Sequence, residues 1–269
     1  MQTSEIFRRE RERLALIGSD RDPAMFQSMR SFVRNESTMN RSVIVNWAEP
    51  GRNFGCRFTC DFCSWRDRAE AMGDIAPSAQ ALDRFLEGYL GYKVTISGGG
   101  DPLFNPERNL PRLQGLVDQL HSKGLLVEVV TKEISVVRDL HDTALKSIDM
   151  WSFSAEAPSR LIADAVRKVG MARISKVCSP GTVGKLAEYT RFYREAGAYQ
   201  ILFREDFYAV PPADDAKTIA TVIAGNRDIV RWLPNRTCSD NLFLIGDVPH
   251  HGDVPIQKVN VMELENAHA

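Results

Sequence analysis

From residue 42 onward, short apolar runs alternate with longer segments in which apolar residues recur every three or four positions. The runs at 42–47 (SVIVNW), 93–97 (KVTIS), 125–131 (LLVEVVT), 150–154 (MWSFS), 173–177 (RISKV) and 200–203 (QILF) are rich in Val and Ile. Little charge interrupts them, as expected of strands covered on both faces. Helical periodicity occupies 78–90, 110–123, 135–146, 160–169, 182–196 and 214–224. Alternation of this kind predicts parallel pairing through right-handed crossovers. Six units are too few for a closed eight-unit barrel. The pattern therefore predicts an α/β chain with an open, partial (β/α)6 barrel at 42–224.

The flanks read differently. Residues 1–41 are expected to form an N-terminal helical segment. Arg8, Arg9, Arg11 and Arg13 alternate there with Glu10 and Glu12, and Ile6, Phe7, Leu14 and Ile17 make a rough apolar stripe. Ion pairs three and four residues apart suit a solvated helix face. Residues 225–269 are expected to be a small C-terminal extension packed on the barrel. It contains Pro234, a hairpin-like stretch at 241–247, a Gly/Pro-flanked loop at 249–253 that exposes His250 and His251, and a strand-like end at 256–262.

Composition narrows the class. The 269 residues are 43% apolar and 26% charged, the balance of a soluble chain with a substantial core. Lys plus Arg number 34 against 35 acidic residues, so a broad polyanion-binding surface is not indicated and nucleic acid enters only through local basic patches. No run reaches the ~18–20 apolar residues of a membrane span. The amino terminus is charged where a signal peptide is apolar. A cytoplasmic protein without membrane contact is the expectation.

Cysteine placement carries the chemistry. Of five cysteines, Cys56, Cys60 and Cys63 fall within eight residues, whereas Cys178 and Cys238 stand apart. An odd count in a chain of this size is unlike a disulfide framework. Clustered thiolates suit zinc or an iron–sulfur cluster. Zinc would need a fourth ligand from Cys178, Cys238, His250 or His251, and would make the chain a zinc-stabilised binding module. Three ligands alone leave a metal coordination position open. The triad follows the first predicted strand, and the carboxyl ends of strands are where α/β folds bind ligands. Cys178 and Cys238 are each read first as small buried residues.

The spacing Cys-x3-Cys-x-aromatic-Cys, with Phe62 in the aromatic slot, resembles the motif of the radical S-adenosylmethionine superfamily. One unit later the second strand ends Ser97-Gly98-Gly99-Gly100-Asp101-Pro102, similar to that superfamily's glycine-rich motif ending in Glu-Pro. The resemblance covers roughly residues 42–206. It implies a 4Fe-4S cluster on Cys56, Cys60 and Cys63, with S-adenosylmethionine chelating the open iron. It also implies reductive cleavage to a 5′-deoxyadenosyl radical that abstracts hydrogen from a substrate. Backbone carbonyls of Gly98, Gly99 and Gly100, with Asp101, would hold the methionyl ammonium, although Asp is one methylene shorter than the family's Glu. Ser154 and Glu156 match a Ser-x-Asp pattern at the fourth strand and are candidates for the ribose hydroxyls or the substrate. Arg204, ending the sixth strand, offers a fork for carboxylate or phosphate. Lys132 departs from the family's Thr-Asn-Gly at the third strand and is expected to point into the cavity. Such chemistry implies an external low-potential donor, flavodoxin- or ferredoxin-like.

Substrate class is less legible. A small molecule or nucleotide is the preferred reading, and activation of a glycyl-radical enzyme is the alternative. Peptide modification is weakened by the lack of a cysteine-rich C-terminal domain.

Overall fold

The computed structural model describes residues 41–44, 56–63, 78–87, 93–97, 100–141, 147–206, 212–233, 242–245 and 248–251. Six βα units run in order: β1 (Arg41–Ile44), α1 (Ala79–Leu86), β2 (Lys93–Ile96), α2 (Pro106–Ser122), β3 (Leu126–Thr131), α3 (Ile134–Asp139), β4 (Met150–Ser154), α4 (Arg160–Val169), β5 (Ala172–Cys178), α5 (Leu186–Glu195), β6 (Gln200–Glu205) and α6 (Ala213–Gly225). A 3-10 turn, Val183–Lys185, leads into α5. Then come β7 (Val230–Leu233), β8 (Leu242–Ile245) and β9 (Val248–His251).

The nine strands among the described residues form one sheet in the order β7-β6-β5-β4-β3-β2-β1-β8-β9. All pairings are parallel except the β8–β9 hairpin. From β1 to β7 the order never reverses. Right-handed crossovers therefore put successive helices on the same side, as in a barrel and unlike a doubly wound sheet. The edges β7 and β9 do not pair with each other among the described residues, so the partial barrel is open.

The two faces of the sheet have opposite character. Val94, Ile96, Val127, Val129, Trp151, Phe153, Ala172, Ile174, Ile201 and Phe203 share one core with Leu82, Phe85, Leu113, Val117, Leu120, Ile162, Val166, Leu186, Tyr189 and Ile219 of the helices. The face between them, on alternate residues, carries Lys93, Thr95, Glu128, Ser152, Ser154, Arg173, Ser175 and Arg204. That polar face departs from the expected uniformly apolar strands.

Glu128 is 1% exposed and anchors the amino-terminal half of this face. It pairs with Lys93, with Arg173 at 2.6 Å, and with the Thr95 hydroxyl at 3.0 Å. Burial opposes its ionisation, yet Arg173 and Lys93 prevail and hold its carboxyl at about 2.

One expectation for the tail needs correction, and others fall outside the described residues. Within the stretch expected as the extension, β7 lengthens the sheet beyond β6 and β8 pairs in parallel with β1. The predicted loop holding His250 and His251 is strand β9 instead. Pro249 is tolerated because β9 is an edge strand, whose outer backbone groups need no partner strand. Residues 256–262, the N-terminal segment before Arg41, and Cys238 lie outside the described residues. Among the described residues, no helix is long and apolar enough to cross a membrane.

Candidate functional site

Loops at the carboxyl ends of β1, β2, β3 and β4 converge. The cysteine loop, 56–63, follows β1 in the chain, and Cys63 N donates to Cys60 O at 3.0 Å, tightening its second half. All three thiols are half-buried. Burial pushes the Cys56 thiol up to about 11, with the nearby charges of Asp101, Cys60 and Cys63 adding to the rise. The triad therefore lies close to the tip of β2.

The tip of β3 grips this loop. Lys132 Nζ lies 3.1 Å from Cys60 Sγ, and 5.5 and 5.6 Å from the ring centroids of Phe58 and Phe62. Arg57 pairs with Glu133 at 2.5 Å and reaches Ser135 Oγ at 3.3 Å. Burial and the charge of Asp101 push the Glu133 carboxyl up, against the pull of Arg57. Lys132 Nζ also meets Glu156 Oε1 at 3.0 Å, tying in the tip of β4. Burial alone would lower the Lys132 pKa, but its hydrogen bonds to Cys60 and Glu156 raise it.

Asp101 joins β2 to β3. Only 4% exposed, its Oδ1 accepts from Leu103 N at 3.0 Å and from the Thr131 hydroxyl at 2.7 Å. Its Oδ2 accepts from Lys132 N at 2.6 Å, and Glu133 N donates in turn to Thr131 Oγ1 at 3.0 Å. Burial pushes this carboxyl up while the hydrogen bonds work to lower it. Both carboxylate oxygens thus serve main chain and Thr131.

The segment after β4 is fixed from α5 and β5. Tyr189 donates to Ala155 O at 2.9 Å, Lys176 to Glu156 O at 2.8 Å and Tyr193 to Ala157 O at 2.9 Å. Three successive carbonyls are held in this way. The Glu156 side chain, 44% exposed, is left to reach Lys132.

The remaining candidates sort by position. Gly98 and Gly99 lie outside the described residues, and Gly100 is half-buried beside Asp101. Ser154 is half-buried at the end of β4 and Arg204 is exposed on β6. Both share the polar face, because Ser154 pairs with Ser175 and Ser175 with Leu202, two residues before Arg204. Cys178 is fully buried within the helix-covered core, its thiol pushed up to about 12, so it lies away from that face. Sequence reasoning missed Arg57, Phe58, Thr131 and Glu133. The available signal was adjacency, since two lie inside the cysteine loop and two flank Lys132.

A cluster is testable against this geometry. No three metal-ligating side chains among the described residues converge on a single ion. A cubane needs no such convergence, because each thiolate takes its own iron, and three soft thiols on one loop fit it.

Neither a family model nor a curated protein matches the sequence. Solved structures do. SuiB of Streptococcus suis bound to S-adenosylmethionine is similar over 81% of this chain and 59% of that one, with 12% identity and a TM-score of 0.51. The protein anSMEcpe with bound AdoMet matches over 71% and 61%, at 13% identity and a TM-score of 0.51. Its form with AdoMet and Kp18Cys peptide gives the same TM-score at 12% identity. The fold is theirs. The chain spans about three fifths of the length of these structures.

Proposed function

We propose that this chain is a radical S-adenosylmethionine enzyme. The observation that carries the reading is the three-cysteine loop seated against the carboxyl ends of β2 and β3. Similar folds with bound S-adenosylmethionine support it. When bound and reduced, a 4Fe-4S cluster supplies the electron that splits S-adenosylmethionine into methionine and a 5′-deoxyadenosyl radical, which takes hydrogen from the substrate.

The chain's own residues hold and position. Cys56, Cys60 and Cys63 each ligate one iron. Phe58 and Phe62 flank the Lys132 ammonium beside the Cys60 sulfur. The backbone of Gly98, Gly99 and Gly100 receives the methionyl ammonium, while Asp101 fixes the loop that presents it. Ser154 and Glu156 face the ribose or substrate, and Arg204 takes a carboxylate or phosphate from the polar face. A flavodoxin- or ferredoxin-like protein supplies the electron. The substrate is a small molecule or nucleotide. A peptide is the second reading, favoured by the peptide in the anSMEcpe structure of the same fold.

Anaerobic reconstitution tests the proposal. The wild type is expected to hold about four irons and to release 5′-deoxyadenosine with dithionite, and Cys63→Ala to lose both. A colourless protein with one zinc, or a Cys63→Ala variant that still forms 5′-deoxyadenosine, overturns it.

A further inference from the structure

Lys132 contacts a cysteine that the cluster would occupy, yet the proposed function gives it no task. Its geometry is over-determined. Its backbone N–H is fixed by Asp101 at 2.6 Å, and its ammonium by Glu156 at 3.0 Å and Cys60 Sγ at 3.1 Å. The rings of Phe58 and Phe62 each lie within 5.6 Å of the ammonium, whose side chain is 24% exposed. A cation held this way beside one sulfur acts on whatever charge that sulfur carries.

We propose that Lys132 is a positioning residue that sets the reduction potential of the cluster on the cysteine loop, by donating a hydrogen bond to the Cys60 sulfur. The inference rests on the cluster assignment above. Reduction adds one electron from a low-potential donor, and part of that charge resides on the sulfurs. An N–H···S bond from a cation stabilises the more negative state and raises the potential. Partial burial of the ammonium and the thiol strengthens the effect. The ammonium keeps its proton in both states, so one electron enters and no bond forms or breaks. Glu156 works in the opposite sense, because its carboxylate offsets part of the ammonium's charge.

The test is an EPR-monitored dithionite titration of the reconstituted full chain, with iron counted in every sample. Lys132→Met is expected to lower the reduction equilibrium at least tenfold, about 59 mV for a one-electron couple. Lys132→Arg is expected to recover most of that shift. Glu156→Gln is expected to move the midpoint the other way. An iron-replete Lys132→Met protein with the wild-type midpoint overturns this proposal alone. If Lys132→Met does not assemble a cluster, an unmoved midpoint in Glu156→Gln overturns it. A wild type without a four-iron cluster overturns the functional reading, and this proposal with it.

Discussion

Replacing Asp101 with Ala removes the acceptor for Leu103 N, Lys132 N and the Thr131 hydroxyl at once. Hydrogen bonds to a charged group contribute ~1.5–3 kcal/mol each, and a buried donor left unmade costs ~1–3 kcal/mol. The three share one carboxylate and are not additive, so the loss is expected to be on the order of 4 kcal/mol. Against a total stability of ~5–15 kcal/mol, that is a severe change. Asp101→Asn makes a finer probe. Its amide oxygen can keep the two donors at the Oδ1 position, which leaves the amide nitrogen facing Lys132 N–H, donor against donor, at a cost of about 2 kcal/mol. Urea unfolding followed by circular dichroism reads both variants, with S-adenosylmethionine affinity measured in parallel on the reconstituted protein. If Asp101→Ala keeps wild-type stability and loses only affinity, the carboxylate is a ligand contact and the bracing argument is wrong.

Acid titration probes the polar face. Glu128 has its pKa held at about 2, below the ordinary 4.5, so its contribution to stability is complete above pH 4.5 and lost as the pH falls towards 2. Glu128→Gln is expected to cost ~3–5 kcal/mol at neutral pH, because Lys93 and Arg173 lose their shared partner. It should also flatten the stability profile between pH 4.5 and 2. An unchanged acid limb would remove Glu128 from that role. Tyr189→Phe is expected to lose ~1 kcal/mol, seen as a lower urea midpoint, since its hydroxyl caps the buried Ala155 carbonyl. No midpoint shift would mean that carbonyl finds another donor.

Local pattern determined the elements that depend on local pattern. The strand expected at 150–154 and the helix expected at 160–169 match β4 and α4 residue for residue, because each is bounded by sharp polar punctuation. Helix α2 starts four residues before the expected 110. Pro106 and Glu107 look like turn residues in sequence, but proline lacks only an N–H that the first turn leaves unbonded anyway. Strand β7 escaped notice because Val230–Leu233 is four residues long and carries Arg231. Its pairing with β6 is what makes it a strand. At the site, the cysteine spacing and the glycines were legible as motifs. The Lys132–Cys60 and Asp101–Thr131 contacts were not, since they join residues 72 and 30 positions apart in the chain. Only tertiary structure makes them neighbours.

The pairing of β8 with β1 has a consequence during synthesis. The strand that leads into the cysteine loop leaves the ribosome some two hundred residues ahead of one of its two flanking partners, Leu242–Ile245. Until then β1 has an open edge, and its backbone groups there are solvated or paired elsewhere. Under the proposed function, iron delivered before the β8–β9 hairpin is made would meet a half-walled cradle, so loading is best timed after that hairpin has paired with β1.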